Sequence, residues 1–371
     1  MRVLIISQQH DIHAHALIWA LAQRGVKSDL LSISDLPENQ RISTTISNLE
    51  DLRVSINGLE DSALYSAVWM RRFENPASFS PNLARSDIEM AQCEARRYAE
   101  GAINLIMPHA TWINPIESAR MANIKPYQLT KAKRVGFSIP ETLISNDPTR
   151  IASFWKEHKG QIIYKSFAPA FWRNAIGDKV SALFTSTFPE NMFDERESFT
   201  SCPGIYQALI QKRADLRVVF FGNTFCGARI YSQTIEKSVL DFRSDMKGEA
   251  LLEPYEIPLN IQKICADFRD ELGLLHGSFD FAEALDGTPV FLEVNQMGQF
   301  LWLEERLPSL HILDMFTSFS LTPDRSFTYK RNDSPLTFEQ FVHTDTYKDA
   351  RKIFDDHFLS TQSARPFTYI E

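Results

Sequence analysis

The pattern of apolar and polar residues at the start of the chain predicts a small α/β unit. RVLIIS (2–7) is a short apolar run typical of a buried strand, and SDLLSI (28–33) is a second one. Between them, HAHALIWALAQRG (13–25) carries apolar residues at helical spacing and ends at a glycine. A strand, a helix and a strand in this order predict a doubly wound N-terminal domain.

Two segments at predicted strand ends bear on what this domain binds. QQHDIHAH (8–15) contains no glycine, so nothing lets a pyrophosphate approach the backbone, and we expect no NAD binding. A later strand in ALYSAVWMRRFENP (63–76) ends at Arg71 and Arg72, where α/β domains usually have their ligand cleft. These arginines are either a solvated basic pair or a site for an acidic side chain or an acyl phosphate.

Helical patterns follow in the middle and near the end of the chain. Residues 86–109 predict a long helix, and 112–147 predict a helical pair that ends at Gly136. NIQKICADFRDEL (260–272) predicts another helix, ended by Gly273.

Two predicted strands carry charged residues that call for a partner. QIIYKSFAP (161–169) predicts an apolar strand with Lys165 at its end, and a lysine in such a strand is costly unless its ammonium meets an anion. DLRVVFFG (215–222) places Asp215 and Arg217 on one face of a strand. The two are either functional or an exposed ion pair worth under ~1 kcal/mol.

The segment from 276 to 299, HGSFDFAEALDGTPVFLEVNQMGQ, predicts a β-hairpin. Asp286-Gly287 separates two apolar runs and is a strong signal for a two-residue turn. That turn would pair Leu285 with Thr288.

In this register Asp280 lies opposite Glu293, and alternation puts Asn295 on the same face. Two carboxylates and an amide oxygen are hard ligands that suit Mg²⁺. The alternative is the polar face of a half-exposed hairpin. Phe279, Phe281 and the other apolar neighbours favour the metal site, because buried like charges repel unless a cation lies between them.

Composition excludes several classes of protein. A chain of 371 residues predicts two or three subdomains, and a formal net charge of −8 argues against a nucleic-acid partner. No signal peptide and no apolar stretch of ~20 residues is evident, so we expect a cytoplasmic protein without a membrane partner. We find no nucleophilic triad among the nine histidines. The four cysteines lack a CxxC motif and predict reduced thiols without a zinc site.

Several motifs occur in an order that resembles a known superfamily. FDF, FLEVN and GQ at the hairpin, preceded by DFRSD (241–245), resemble the metal-binding end of ATP-grasp ligases. The continuation GQFLWLE looks most like the microviridin-type branch, the graspetide synthetases, which close side-chain amides or esters in ribosomal peptides. RimK-like glutamate ligases are more distant. One departure is the phosphate-covering flap, since residues 167–180 offer only Gly177 where the superfamily often has several glycines.

The resemblance implies roles for individual residues. Backbone atoms of the linker after a central strand would bind adenine, an aspartate would lie by the ribose, and two lysines would meet the phosphates. Two arginines would stabilise the transferred phosphate, and Arg71 and Arg72 would bind substrate. The implied nucleotide-binding residues are Lys125, Lys165, Gln207, Ala208, Leu209, Ile210 and Asp215; the implied catalytic residues are Arg217 and Arg243; the implied metal ligands are Asp280, Glu293 and Asn295.

The fold implied is α/β, an ATP-grasp fold with an N-terminal doubly wound domain, a central subdomain and a C-terminal antiparallel catalytic subdomain. We place the boundaries at 1–110, 111–205, 206–320 and 321–371. The last part predicts a linker and one amphipathic helix of unknown role.

The implied function is a ligase dependent on ATP and Mg²⁺ that acts on an acidic peptide through an acyl phosphate. A homodimer is expected by analogy alone. Two alternatives stay open at this point: a RimK-like ligase that adds an amino acid to a small molecule or protein tail, and a non-catalytic ATP-binding regulator.

Overall fold

The apolar run at the start of the chain lies inside a four-stranded parallel sheet with strand order β2-β1-β5-β6. The helix after it begins at Asp11, whose side chain accepts a hydrogen bond from the His13 amide. The predicted strand-helix-strand unit is confirmed. The elements are β1 (Arg2–Ile6), α1 (Ile12–Gln23), β2 (Lys27–Leu31), the small hairpin β3 (Ile42–Thr45) and β4 (Arg53–Ile56), β5 (Tyr65–Met70), α2 (Ile88–Ile103) and β6 (Thr111–Ile113).

This structure is a computed structural model. The residues it describes are 1–48, 52–56, 58–59, 62–167, 170–173, 180–183, 185–245 and 247–363. Most of the predicted flap, at 168–169 and 174–179, lies outside them. No helix in these ranges is both long and apolar enough to cross a membrane.

A second sheet, antiparallel and ordered β11-β8-β12-β7, forms the central part of the chain. Its apolar face packs on α5 through Ile151, Ile162 and Tyr206, and Lys165 ends strand β8 as predicted. The elements are α3 (Ile116–Ala122), α4 (Lys125–Val135), β7 (Thr142–Ser145), α5 (Pro148–Glu157), β8 (Ile162–Lys165), the two-stranded β9 (Ala170–Arg173) and β10 (Val180–Leu183), β11 (Ser186–Thr187), α6 (Arg196–Ser201) and β12 (Gly204–Ala208).

A five-stranded antiparallel sheet, ordered β15-β14-β13-β16-β17, carries the three predicted metal ligands together with Asp215 and Arg217. On one face, Val218 and Phe220 pack with Phe268 of α7; on the other, Val219 and Phe221 pack with α9 and the N-terminal domain. The elements are β13 (Lys212–Phe221), β14 (Thr224–Ile230), β15 (Leu252–Tyr255), α7 (Leu259–Leu272), β16 (His276–Ala284), β17 (Pro289–Asn295), α8 (Leu301–Arg306) and α9 (Ile312–Leu321).

The turn of the hairpin formed by β16 and β17 differs from the prediction. Ala284 pairs with Thr288, so the loop has three residues with Gly287 at φ 90°. The predicted pairing of Leu285 with Thr288 is therefore wrong. An irregularity between Asp280 and Phe281 then inserts one extra residue into β17, and the predicted pairing of Asp280 with Glu293 is restored.

The C-terminal extension contains two helices, α10 (Phe338–Val342) and α11 (Asp345–Ser363), where the pattern predicted one. The break has a local cause: Thr344 accepts a hydrogen bond from the Tyr347 amide at 3.2 Å and caps the second helix. Both helices contact α1.

Two buried carboxylates attach this extension to α8 and α9. Glu304 accepts hydrogen bonds from the amides of Leu313 at 2.6 Å and Phe338 at 2.8 Å. Asp314 is fully buried and ion-paired with Arg24. It also accepts hydrogen bonds from the extension, namely from the Tyr329 hydroxyl, the Asn332 side chain and the Leu336 amide.

Replacing Asp314 with Asn is expected to destabilise the protein by about 2–4 kcal/mol, because an amide cannot accept from all of these donors and leaves Arg24 without a counter-ion. The midpoint of urea unfolding measures the effect. Asp345→Asn, which breaks only an exposed pair with Lys348, should leave the midpoint unchanged. Equal midpoints for the two variants would show that the extension is not held through Asp314.

Candidate active site

The hairpin of β16 and β17 presents two carboxylates to one cavity. Asp280 and Glu293 are cross-strand partners, and Asn295 is the partner of Ser278 one pair further along the same face. A cavity of about 680 Å³ opens in front of them. Its lining comprises Arg217, Ile230, Phe242, Arg243, Asp245, Lys247, Gly248, Asp280, Glu293, Asn295, Gln299, Trp302, Glu305 and Arg306.

Arg217 compensates the charge of Asp280. The two residues face each other on neighbouring strands, and Arg217 Nη1 donates to both carboxylate oxygens at 2.7 and 2.8 Å. Its Nη2 donates to the Gln299 carbonyl at 3.2 Å. Burial raises the pKa of Asp280, and the guanidinium offsets part of that effect.

Glu293 lies between cations from distant parts of the chain. Lys125, the first residue of α4, forms an ion pair with it, and Arg243 Nη1 lies 3.4 Å from its Oε1. Burial alone would raise the pKa of Glu293, but Lys125, Arg243 and Lys165 outweigh burial and lower it to about 2. The surrounding cations therefore favour the ionised carboxylate.

Asp241 orients the guanidinium of Arg243. The arginine donates from Nε and Nη2 to the two oxygens of Asp241 at 2.8 and 2.7 Å, a bidentate pair that leaves Nη1 directed at Glu293. Thr185 also donates to Asp241 at 3.1 Å. Burial lowers the pKa of nearby Lys165, while Glu293 and Asp241 act in the opposite direction.

The donor set fits Mg²⁺ if Lys125 moves. The described residues contain no group of three or more His, Cys, Asp or Glu suited to a metal. The predicted ligand set differs from such a group because it consists of two carboxylates and one amide. Mg²⁺ commonly takes one or two carboxylates plus phosphates and keeps several waters. Asn295 Oδ1 already accepts from the Met297 and Gly298 amides at 3.1 and 3.2 Å, so a metal would compete with that turn.

A second, smaller cavity of about 100 Å³ lies between the central sheet and the five-stranded sheet. It brings together the predicted linker residues from Gln207 to Ile210 with Lys165, and Ile163, Leu240 and Leu292 supply apolar walls. The amides of Ala208 and Leu209 are already bonded to the carbonyls of Glu141 and Gln161.

Asp215 lies apart from this lining and is held by structural partners. Lys212, which does line the smaller cavity, donates to both of its carboxylate oxygens at 2.8 Å, and Ser232 donates at 2.5 Å. Burial raises the pKa of Asp215 despite these contacts. Lys212 was missed in the sequence, although its position three residues before Asp215 was a usable signal.

The structure does not bring Arg71 and Arg72 to the cavity. Arg71 is buried, with Nε 3.4 Å from Asp11 Oδ2 and Nη1 donating to the Met297 carbonyl at 3.4 Å. Arg72 is half-exposed, with Nε 3.8 Å from the same carboxylate. The N-terminal domain thus contacts, through Arg71, the loop that follows Asn295.

Asn114 is a further residue that the sequence did not single out. It follows β6, is buried, and donates from Nδ2 to the carbonyls of His276 and Gln296 at 2.8 Å. Its Oδ1 accepts from the amides of Leu275 and His276. It therefore connects the N-terminal sheet to both ends of the hairpin formed by β16 and β17.

Comparison with known proteins shows the fold. No protein-family model and no curated protein sequence matches the chain. The solved structure of macrocyclase MdnC from Microcystis aeruginosa, bound with precursor peptide MdnA, matches with a TM-score of 0.76 at 23% identity, covering 87% of this chain and 100% of that one. A RiPP-associated ATP-grasp ligase from Chryseobacterium gregarium, in complex with ADP and a leader and core peptide, matches with a TM-score of 0.78 at 22% identity. The match covers 90% of this chain and 99% of that one.

The structure of macrocyclase MdnB from Microcystis aeruginosa matches with a TM-score of 0.71 at 24% identity, covering 86% of this chain and 99% of that one. These likenesses confirm the predicted ATP-grasp fold, a mixed helix and sheet structure with an antiparallel C-terminal sheet.

Proposed function

We propose that the protein is an ADP-forming ligase dependent on ATP and Mg²⁺, which joins a carboxylate side chain of a ribosomally made peptide to an amine or hydroxyl through an acyl phosphate. One observation carries the proposal: Arg217, Arg243 and Lys125 converge on the paired carboxylates Asp280 and Glu293 at a cavity of about 680 Å³. A protein that only binds a nucleotide does not need these three cations and two carboxylates at a large cavity in addition to the smaller one.

The nucleotide phosphates would replace the internal partners of the lysines. Lys125 would leave Glu293 for a phosphate, and Lys165, which has no ion pair in the described part of the chain, would approach another. Bound Mg²⁺ would offset charge on the phosphates as one of them is transferred. Asp280, Glu293 and Asn295 are the residues that would hold it.

The arginines would then position the reacting groups. Arg243, fixed by Asp241, and Arg217, fixed by Asp280, would orient the peptide carboxylate and stabilise the charge on the transferred phosphate. The carboxylate oxygen attacks the γ-phosphorus and ADP leaves. The amine or hydroxyl then attacks the acyl carbon, phosphate leaves, and the nucleophile loses its proton to solvent.

The predicted domains divide this work. Residues 111–205 and 206–320 would hold ATP between them. Residues 1–110 would support the loop after the hairpin through Arg71, which donates to the Met297 carbonyl, and residues 321–371 would pack on α9 through Asp314. MdnC and the Chryseobacterium ligase have structures with a precursor peptide or with leader and core peptides, and this supports a peptide substrate here. An acidic peptide and a homodimer stay predictions.

The test is incubation of the wild type with MgATP and short peptides that combine Asp or Glu with Lys, Ser or Thr. We expect ADP rather than AMP, formed only with a peptide, and a peptide product that has lost one water. A product that has gained an amino-acid residue would favour the RimK-like alternative. AMP formation would contradict the acyl-phosphate mechanism, and tight binding without turnover over a broad peptide set would favour a regulator.

A further inference from the structure

Gln128 is a buried side chain that bonds to the backbone of the strand carrying two of the proposed metal ligands. It lies on α4 and is 1% exposed. Its Oε1 accepts from the Val294 amide at 3.0 Å, and its Nε2 donates to the Val294 carbonyl at 3.0 Å and to the Ala122 carbonyl. The side chain of Gln128 therefore satisfies both backbone groups of one residue on β17.

These hydrogen bonds take the place of a neighbouring strand. β17 is the last strand in the order of the five-stranded sheet, and no other strand of the described part of the chain pairs with its outer edge. Ser138 covers that edge at the Phe291 amide, and Gln128 covers it at Val294. A flipped Gln128 amide would turn its oxygen toward two carbonyls, so the contact has a single orientation.

The contact joins two elements that act together in the proposed mechanism. Lys125 lies three residues before Gln128 and therefore on the same face of α4. Val294 lies between Glu293 and Asn295, and its own side chain is buried in the core on the opposite face of β17. The backbone between two proposed metal ligands is thus held directly to the helix that begins with Lys125.

This connection gains importance when the nucleotide binds. In the structure the ion pair between Lys125 and Glu293 also connects α4 with β17. In the proposed mechanism Lys125 leaves for a phosphate and Mg²⁺ takes its place at the carboxylate. The ion pair is then lost, and the ammonium and the metal ion repel each other across the same gap. The hydrogen bonds between Gln128 and Val294 involve no charged group and are retained.

We propose that Gln128 is a positioning residue, which keeps the metal ligands of β17 at the distance from Lys125 at which one MgATP contacts both. The inference rests on the proposed function, because it assumes that Glu293 and Asn295 hold the metal and that Lys125 meets a phosphate. It goes beyond that function by assigning the spacing of the two sites to an uncharged side chain that touches neither ligand.

The experiment measures dissociation constants of MgATP and of ATP in EDTA by calorimetry on the full chain, without peptide. The ratio of the ATP constant to the MgATP constant is the metal preference. Free ATP needs the cations alone, whereas MgATP needs the cations and the β17 ligands in one arrangement. We expect the wild type to prefer MgATP. Gln128→Met removes the hydrogen bonds at similar volume and should reduce the metal preference about tenfold or more, with less than about threefold change in the affinity for free ATP.

Two controls separate positioning from a loss of stability. Gln262→Met on α7 removes a glutamine whose Nε2 donates to the Ile257 carbonyl and which lines neither cavity. Asp314→Asn is expected to destabilise the fold through the C-terminal extension. Both variants should keep the wild-type metal preference. A reduced preference in Asp314→Asn would show that instability alone has this effect and would overturn the proposal.

A second variant, Gln128→Glu, tests the hydrogen bonds even if Gln128→Met fails to fold. An ionised carboxylate opposes the Val294 and Ala122 carbonyls, whereas a protonated carboxyl accepts from the Val294 amide and donates to one carbonyl. Burial beside carbonyls favours the protonated form. The metal preference of Gln128→Glu, relative to the wild type at the same pH, should therefore recover as the pH is lowered from about 8 to 6, and that of Gln128→Met should not. Lys125 and Glu293 are present in every variant, so the comparison with the wild type cancels their own titration.

The outcomes separate this inference from the proposed function. Absence of nucleotide binding by the wild type, or equal affinity for MgATP and free ATP, would overturn both. A wild-type metal preference in Gln128→Met would overturn the inference alone, and so would an equal loss of affinity for the two forms of the nucleotide. A metal preference of Gln128→Glu that stays constant relative to the wild type over this pH range would also contradict the inference.

Discussion

Replacing Glu293 with Gln is expected to lower the rate of ADP formation by about a hundred- to a thousandfold. The change keeps the size of the side chain and removes the charge on which Lys125 and Arg243 converge. An amide is a poorer ligand for a hard cation than a carboxylate. Because the pKa of Glu293 is lowered to about 2, the wild-type group is ionised throughout the assay range, and acid inactivation above pH ~4 would have to come from another group.

The matched control is Glu253→Gln on β15 of the same sheet. Glu253 is ion-paired with Arg229 at 2.5 Å and does not line the cavity. The control should form ADP at the wild-type rate, and circular dichroism should show that both variants are folded. Retention of more than about a tenth of wild-type activity in Glu293→Gln would remove this carboxylate from the catalytic site.

The position of the carboxylate pair Asp280 and Glu293 could be predicted from the sequence, but the hairpin turn could not. Strand alternation and the Asp-Gly signal placed Asp280 opposite Glu293, and the structure agrees. That agreement depends on two departures that cancel: a longer loop shifts the register by one residue, and the extra residue in β17 shifts it back. The bulge depends on tertiary contacts. On its other edge, β17 is bonded to Ser138, whose carbonyl accepts from the Phe291 amide at 2.8 Å.

Partners that are distant along the chain account for most of what the sequence did not predict. Arg71 was located at a strand end, but its burial against Asp11 and the Met297 loop depends on how three separate segments meet. Asp241 belongs to the DFRSD segment, but only the bidentate geometry shows that it orients Arg243. Local signals were sufficient to predict where a helix ends, because a helix end depends on a single segment of the chain. Gly136 and Gly273 end α4 and α7 as predicted.

Replacing Arg217 with Met is expected to destabilise the folded protein by about 3–5 kcal/mol, because it leaves the buried carboxylate of Asp280 without its counter-charge. The loss should depend on pH. Without Arg217, the pKa of Asp280 in the folded state lies further above its value in the unfolded chain, so the folded state binds more protons. Stability of this variant relative to the wild type should therefore increase as the pH falls from 8 toward 5.

The double variant Asp280→Leu with Arg217→Met separates stability from function. Two apolar side chains of similar volume need no counter-charge, so the double variant should return to within about 1 kcal/mol of the wild-type free energy of unfolding. Urea unfolding of the wild type, the single variants Arg217→Met and Asp280→Leu, and the double variant measures the coupling between the two residues. In the proposed mechanism Asp280 and Arg217 both act at the phosphates, so the stabilised double variant should still form no ADP. A double variant as unstable as Arg217→Met would show that the pair stabilises the sheet in a way that apolar packing cannot replace. Formation of ADP by the double variant would remove both residues from the proposed mechanism.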